Sequence, residues 1–333
     1  MATLAGSNPT LMDWAKQLEP NGGITSQIVE MLSQTNEMLM DMTWVEANGP
    51  TYHRCTIRTG LPSATWRQFY QGVAPSKSTT AQVDETIGML ETRSVVDKDL
   101  AELNGDVNQF RMNEASAFME AMNQEMQQTV LYGNVSVAPE EFNGFAPRFA
   151  ALTTAASGEN IVDGLGTGSD NTSIWLVGWG ENSVYGIFPK GSTAGLKHED
   201  LGIDHNTPDT QTVVRYFSAY HDKWEWKAGL VAKDWRNVVR IANIDVSNLV
   251  AESSAADILK VMTIAVHKIP ALTAVRPAFY VNRTVMTMLD IQAQSKSNVY
   301  LTVGEEEGKK KVSFRGIPIR MTDQILNTEA RVT

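Results

Sequence analysis

The stretch HEDLGIDH carries the densest group of side chains that could do chemistry. It places five residues of metal-ligand type within eight positions: His198, Glu199, Asp200, Asp204 and His205. Imidazole nitrogens and carboxylate oxygens bind many divalent metals, but this spacing matches no rigid ligand template, and the segment follows the loop-like GSTAGLK. We therefore predict a solvated acidic loop. The alternative is a metal-dependent hydrolase that uses His198, Asp204 and His205.

Other motifs with a chemical mechanism are weaker. GLGTGSD, residues 164–170, has alternating glycines, but no strand closely precedes it and no helix clearly follows, so it predicts a flexible loop and not a phosphate site. Cys55 is the one cysteine, and no histidine near it completes a nucleophile pattern. We predict no catalytic residue, no metal and no cofactor.

Composition and charge exclude several classes of protein. The chain has 333 residues, 42% of them hydrophobic, which is enough for a large core. A single cysteine excludes an internal disulfide framework and is typical of a reducing cytoplasm. The beginning of the sequence does not resemble a signal peptide, and no apolar run suits a membrane span. A net charge of −10 argues against a DNA-binding module, because gripping the phosphate backbone needs a basic face.

Two segments with a period of two predict a long β-excursion. The segments are Thr51–Thr59 and Thr79–Leu90, and the loop GLPSATWRQFYQG joins them. The loop carries Trp66, Phe69 and Tyr70, and a two-stranded ribbon is at best marginally stable alone. Either a partner surface covers these rings, or the excursion folds back onto its own core; the sequence leaves both open.

The longest helical pattern extends from Ser94 to Tyr132. Its apolar residues recur at intervals of three and four, Gly133 is a reasonable stop, and Gly105 interrupts the pattern or bends it. A helix of this length would act as a strut. The first segment of the chain, Thr10–Asn48, is also helix-like but is broken at Pro20.

The rest of the chain predicts an α+β body. Two strands are expected within 173–188, on either side of a turn near residues 180–182, and further strands at 212–220, 223–241 and 278–281. Helices are expected at 253–267, with Ser253 or Ser254 as the cap, and at 284–292. Near the end, Val299–Val303 and Val312–Phe314 flank GEEEGKKK. There a charged hairpin would set three carboxylates opposite three ammonium groups: Glu305, Glu306, Glu307, Lys309, Lys310 and Lys311.

Three parts of the sequence resemble the major capsid proteins of tailed phages. MNQEMQQTVLYGNVSVAPEEFNGFAPRF is similar to their spine helix and the Tyr-Gly, Pro and Phe-x-Gly pattern after it. FYVNRTVMTMLDIQAQ and VSFRGIPIRMTDQIL resemble the "strand, Asn, helix" and Gly-Ile-Pro patterns near the end of those chains. MTWVEANGPTYHRCTIRTGLPSATWRQFYQGVAPSKSTT is similar to capsid proteins of certain short-tailed phages of about this length.

The resemblance implies the Hong Kong ninety-seven-type capsid fold. This α+β fold has an N-terminal arm, an extended β-hairpin loop, a peripheral domain holding a long spine helix, and an axial α/β domain. The implied ranges are 1–48 for the arm, 49–92 for the loop, 93–133 plus 299–333 for the peripheral domain, and 134–298 for the axial domain.

The resemblance also implies a structural protein of the virion and not an enzyme. Copies would self-assemble into hexamers and pentamers of an icosahedral shell that encloses double-stranded DNA without specific binding. Portal, scaffolding and decoration proteins would be further partners, and assembly would take place in the host cytoplasm, without a membrane. A neighbouring copy would then cover the loop, and the implied contact residues are Pro62, Trp66, Arg67, Phe69 and Tyr70. We do not predict a Lys-Asn cross-link through Lys77, because no partner can be assigned. An encapsulin-like compartment shell with the same fold stays an alternative.

Overall fold

The computed structural model describes residues 34, 36–103, 106–153, 156–208, 215–251, 257–294, 301–306 and 309–333. These residues form two compact units. The larger unit comprises the described residues within 35–88, 127–194 and 228–333, and the smaller unit those within 1–34, 89–126 and 195–227. In the described ranges, no helix is both long and apolar enough to cross a membrane.

Strands and helices alternate along the described chain. The strands are β1 Trp44–Glu46, β2 Tyr52–Gly60, β3 Thr79–Thr86, β4 Gly88–Asp97, β5 Ile161–Asp163, β6 Asn171–Trp179, β7 Val184–Phe188, β8 Lys197–Pro208, β9 Tyr216–Ala232, β10 Val238–Asp245, β11 Arg276–Val281, β12 Leu301–Glu306, β13 Lys309–Phe314 and β14 Ile317–Met321. The α-helices are Met38–Asp41, Lys98–Glu102, Val107–Tyr132, Val246–Val250, Ile258–Lys268 and Arg283–Gln294. Short 3₁₀ turns lie at Ala146–Phe149, Ala156–Asn160, Trp235–Asn237 and Leu272–Ala274.

The larger unit is built on a mixed sheet centred on β6. Strand β6 pairs antiparallel with β10 on one side and with β11 on the other, and β11 continues in parallel to β14. All nine residues of β6 are buried. The uninterrupted apolar run Ile174–Val177 is typical of a strand that is covered on both faces.

Two helices cover one face of this sheet. Ile258–Lys268 and Arg283–Gln294 present residues such as Met262 and Leu289, which pack in one cluster with Ile174 and Leu176 of β6 and with residues of β10, β11, β13 and β14. The first of these helices begins at Asp257, whose carboxylate accepts a hydrogen bond from the backbone N–H of Lys260.

Aromatic rings and a buried ion pair fill the opposite face. Trp175 packs against Phe145 and Phe149. Beside it, Arg240 stacks over the Trp175 ring and pairs with Glu329 at 2.8 Å. Removing one partner of such a pair would leave an uncompensated buried charge.

The smaller unit combines the first part of the long helix Val107–Tyr132 with a β-ribbon. Strand β8 pairs antiparallel with β9, from Lys197 opposite Glu225 to Pro208 opposite Tyr216, and β4 lies on the other side of β9. Phe118 of the helix stacks on Trp224 of β9, with ring centroids 5.3 Å apart. Both β9 and the helix continue into the larger unit.

The predicted start of the long helix at Ser94 is wrong, because the helix begins at Val107. Residues 94–97 end strand β4, which suits the β-branched Val95 and Val96, and Asp97 then caps a short helix by accepting from the backbone N–H of Asp99. The long helix itself is Val107–Tyr132 and ends immediately before Gly133, as predicted. Gly105 lies outside the described residues.

Other predicted boundaries also change. The run Thr79–Leu90 divides at Ile87 into β3 and β4. The strands expected at 212–220 and 223–241 are wrongly divided, since β9 is unbroken from Tyr216 to Ala232 and β10 begins only after the turn Trp235–Asn237. Residues Ser253 and Ser254, and most of Thr10–Asn48, lie outside the described part of the chain.

Candidate functional site

Strands β2 and β3 form an antiparallel hairpin that is a sheet of its own. Their register runs from Tyr52 opposite Thr86 to Gly60 opposite Thr79, with an irregularity next to Gly60. This is the β-excursion that the sequence predicted. Its strands extend roughly 30 Å at about 3.3 Å per residue.

The tip of this hairpin, residues 61–78, is exposed throughout. The exposed fractions of Trp66, Phe69 and Tyr70 are 103%, 92% and 104%. Pro62 and Arg67 are exposed beside them. The five predicted contact residues therefore lie together on one free loop, and their rings are not folded back onto the described parts of the chain.

The root of the hairpin is fastened through Asn48. Its side-chain amide donates to the carbonyl of Arg54 and accepts from the Arg54 N–H, at 2.8 and 2.9 Å. The backbone N–H of Asn48 donates to Nδ1 of His53 at 3.3 Å. Sequence reasoning missed Asn48, although the Asn-Gly-Pro stretch that begins with it, two residues before strand β2, is a recognisable turn signal.

Two side-chain hydrogen bonds join the base of the hairpin to Tyr185 of strand β7. The hydroxyl of Tyr185 lies 3.0 Å from Nε2 of His53 and 3.5 Å from Sγ of the buried Cys55. Because Nδ1 of His53 accepts from Asn48, its proton is on Nε2 and is donated to the Tyr185 oxygen. The Tyr185 hydroxyl and the Cys55 thiol form the second hydrogen bond, in which either group can donate. Burial is the main cause that raises the pKa of Tyr185. Cys55 is buried in one hydrophobic cluster with Tyr185, Ile187 and Val231, which makes it a packing residue.

A second anchor holds β3. Glu85 is 6% exposed and forms a bidentate ion pair with Arg148, with nitrogen-to-oxygen distances of 2.5 and 2.7 Å. Arg148 also donates to the backbone carbonyls of Gly144, Asn143 and Leu230. With five hydrogen bonds on one guanidinium, the base of β3 is rigidly placed.

The stretch HEDLGIDH is strand and not loop. It lies in β8, and its polar character is compatible with a strand because β8 is exposed along most of its length. His198 contacts Asp222 at 2.9 Å and His205 contacts Ser218 at 2.9 Å, both across to β9. Asp204 accepts from the N–H of Asn206. Among the described residues there is no group of three or more ligand-type side chains that could hold a metal.

Instead of a metal site, His198, Asp200 and Asp222 form a polar cluster with Arg111 of the long helix, and Asp222 lies at its centre. Arg111 donates to both of its oxygens at 2.8 and 3.2 Å, pairs with Asp200 at 2.9 Å, and lies over the ring of Tyr220. It holds the ribbon against the long helix within the smaller unit.

Two other predicted features have simple outcomes. Residues 164–170, GLGTGSD, form a loop as predicted, in which the N–H groups of Gly164 and Gly166 donate to the carbonyls of Ala242 and Asn243. The expectation that no strand closely precedes this loop is wrong, since β5 ends at Asp163; the loop leads into strand β6 and not into a helix. In the terminal hairpin the backbone sets Glu305 opposite Lys310 and Glu306 opposite Lys309. Glu307 lies outside the described residues, so the charged contact stays a prediction.

Comparison with known proteins places this geometry in a family. A family model described as Major capsid protein GP7 matches residues 19–333. The structure is similar to a near-atomic cryo-EM structure of bacteriophage epsilon15, with 34% sequence identity, 100% coverage of both chains and a TM-score of 0.79. The search of curated proteins gave no match.

More distant likenesses include a phage capsid and an encapsulin complex. The bacteriophage JBD30 capsid is 9% identical, with 89% of this chain and 93% of that chain covered and a TM-score of 0.48. The holo-SrpI encapsulin complex from Synechococcus elongatus is also 9% identical, with coverages of 73% and 92% and a TM-score of 0.43. These TM-scores are too low to favour either.

The α+β phage capsid fold predicted from the sequence is confirmed by the full-length match. The family consists of structural shell proteins and not of enzymes, so the hydrolase alternative has no support. The chain belongs to the major capsid protein GP7 family and is a capsid shell protein of a virion.

Proposed function

We propose that copies of this chain build hexamers and pentamers of an icosahedral shell around double-stranded DNA, and that the hairpin tip holds neighbouring copies together. The observation that carries the contact is the near-complete exposure of Trp66, Phe69 and Tyr70. A monomeric protein rarely exposes three large aromatic rings on one loop, so this patch indicates a surface that binds another protein. In a shell, a neighbouring copy can cover them.

The apolar area of the three rings is large enough to contribute strongly to a contact between two copies. Each ring buries on the order of 150–250 Å² when covered. Three rings therefore supply a large share of the ~800 Å² per partner that a stable protein interface buries. Aromatic residues are also the residue types that most often dominate binding energy. Pro62 restricts the loop and Arg67 adds a cation beside the rings.

The rigid root supports the same reading. Arg148 with Glu85, and Asn48 with Arg54, fix the base of both strands in the larger unit. Because the base of the hairpin is already held, docking has to order only its distal part, which lowers the entropy cost of the contact.

The test removes the rings and measures assembly. In the triple variant Trp66→Ala, Phe69→Ala and Tyr70→Ala, we expect a folded subunit whose yield of closed particles falls at least about tenfold, because the loss of hot-spot rings costs more than about 1 kcal/mol each. Sedimentation and electron microscopy of particles measure the yield, and circular dichroism checks the fold.

The matched control alters three exposed hydrophobic residues elsewhere. Met40→Ala, Val137→Ala and Leu165→Ala remove side chains that are 87%, 80% and 78% exposed. This variant should assemble as the unaltered protein does. Normal, equally stable particles from the tip variant would refute the proposed contact.

Finer parts of the function are also proposals. We propose the arm, loop, peripheral and axial ranges given above as functional divisions, assembly in the host cytoplasm, and portal, scaffolding and decoration proteins as partners. The net charge of −10 supports a shell that lets packaged DNA slide without specific binding. The hairpin of residues 305–311 is proposed as a charged contact.

A further inference from the structure

Three buried polar side chains lie where distant parts of the larger unit meet. Asn36 precedes the short helix Met38–Asp41, Gln127 lies in the long helix, and Thr322 directly follows strand β14. Their exposed fractions are 7%, 0% and 0%. All three residues belong to the larger unit. We refer to Asn36, Gln127 and Thr322 as the buried polar junction.

Backbone pairing and one side-chain contact bring the junction together. An isolated antiparallel bridge sets Asn36 opposite Thr322. Residues opposed in this way have Cβ atoms roughly 5 Å apart. The amide nitrogen of Gln127 donates to Sδ of Met38 at 3.3 Å, so this amide lies against the same short segment, two residues after Asn36.

Four polar atoms of the junction have no hydrogen-bond partner among the residues that the structure describes. They are Nδ2 and Oδ1 of Asn36, Oε1 of Gln127 and Oγ1 of Thr322. Buried polar groups almost always have a partner, because leaving one without a hydrogen bond costs stability. Four such atoms at one place indicate a bound group that supplies the hydrogen bonds.

The donor and acceptor types of these atoms identify the bound group. The two amide oxygens accept, the amide nitrogen donates, and the hydroxyl can do both. None of the three side chains is charged, so a cation would meet the N–H groups of Asn36 without compensation, and an anion would meet the two amide oxygens. Water both donates and accepts, and a buried water typically makes about three hydrogen bonds to groups of this kind.

We propose that the buried polar junction binds ordered water, one or two molecules, which links the segment at Asn36 to the long helix and to the chain after β14. Arg320 holds the same segment through ion pairs with Glu37 at 3.4 Å and Asp41 at 3.3 Å. The segment that leads to β1 and the root of the hairpin is thus fastened by two kinds of contact, one ionic and one through water. The site lies within one chain, so its test is independent of how copies assemble.

The sign of a stability change tests the site. Thr322→Val replaces the hydroxyl by a methyl group and removes no hydrogen bond to a described residue. If water is bound, the variant removes a hydrogen bond to it, and we expect the melting temperature of the unassembled chain to fall by at least about 2 °C. If the hydroxyl has no partner at all, the methyl group relieves an unsatisfied polar atom, and the melting temperature stays the same or rises.

A double-mutant cycle tests whether Thr322 and Gln127 share the water. Gln127→Met removes the amide and keeps a long flexible side chain. Together with Thr322→Val it should lower the melting temperature by clearly less than the sum of the two single effects, because the first change already releases the water.

The matched control is a buried hydroxyl whose partners are protein atoms. Oγ of Ser183 donates to the carbonyls of Gly178 and Gly180, and Ser183 shares no described hydrogen bond with the junction. Ser183→Ala should lower the melting temperature, and its effect should add to that of Gln127→Met.

Three outcomes would overturn the inference. The first is a Thr322→Val chain that melts at or above the temperature of the unaltered chain. The second is full additivity of Thr322→Val and Gln127→Met. The third comes from a density map that resolves ordered water: a peak should lie within about 3.2 Å of Oγ1 of Thr322 and of an amide group of Asn36 or Gln127, and a protein atom at that position would exclude water.

Discussion

At the scale of single residues, the root of the hairpin contains a histidine that must stay neutral. Nδ1 of His53 accepts from Asn48, and Nε2 donates to Tyr185, so a second proton would remove the acceptor. Burial lowers the pKa of His53, Lys233 lowers it further, and Glu85 opposes them. The sequence indicated a strand here but not this network, because Tyr185 is 132 positions away from His53.

This network predicts acid sensitivity. The pKa of His53 is lower in the folded chain than in the unfolded chain, so folding favours the neutral form. Its contribution to stability is complete above the unfolded pKa of about 6.5 and is lost as the pH falls from there toward the folded pKa. We expect the melting temperature of the unassembled chain to fall between pH 7 and pH 5, and His53→Gln to reduce that fall.

The control for the pH prediction is another histidine. His205→Gln removes a side chain that contacts Ser218 on the exposed ribbon. It should leave the pH dependence unchanged. If His53→Gln and His205→Gln show the same pH dependence, His53 does not carry the effect.

At the scale of elements, the long helix shows how one glycine sets a boundary. Val107–Tyr132 ends before Gly133, whose N–H donates to the carbonyl of Thr129, while its own carbonyl accepts from Gly144. A Cβ at position 133 would lie 2.5 Å from the carbonyl oxygen of Phe142 and 2.6 Å from that of Thr129. Position 133 therefore requires glycine because the backbone carbonyls of Phe142 and Thr129 leave no room for a side chain.

The matching prediction compares two glycines. Gly133→Ala should destabilise the chain by about 1–3 kcal/mol, because backbone atoms must move to admit the methyl group. At Gly72, in the hairpin tip, an added Cβ meets nothing within 4 Å, so Gly72→Ala should change stability by less than about 0.5 kcal/mol. Chemical denaturation of both variants measures the difference. Equal stabilities would show that the helix end adapts freely.

At the scale of the whole molecule, the chain has parts that are buried by its own fold and a part that is not. Strand β6 is buried along its full length, whereas residues 61–78 are exposed throughout. In the function proposed above, neighbouring copies complete the burial of that exposed part. The same division should be visible in the dynamics of the chain.

Hydrogen exchange tests this division. In the unassembled chain, amides of β2 and β3 should exchange much faster than those of β6, since an isolated two-stranded ribbon is marginally stable. In closed particles, protection of β2 and β3 should rise at least about tenfold as neighbours cover the hairpin. Amides of β6 serve as the internal control and should change little. A hairpin that is equally protected before and after assembly would contradict the role given to it.

The sequence by itself determined the features that depend on local patterns. Period-two alternation predicted the hairpin, spacing of three and four predicted the long helix, and Gly133 predicted its end. The distribution of charge, with no carboxylate in residues 56–83, is also a property of the sequence alone.

Only the tertiary structure decided which distant residues meet. HEDLGIDH is a strand because β9 offers it a partner, and Asp222 gathers His198 and Arg111 from 24 and 111 positions away. The buried pair of Arg240 with Glu329 likewise joins residues 89 positions apart. Buried backbone groups and buried charges need hydrogen-bond or ion-pair partners, and the fold supplies these partners from distant positions in the sequence. A local pattern of apolar and polar residues therefore does not predict which groups will pair.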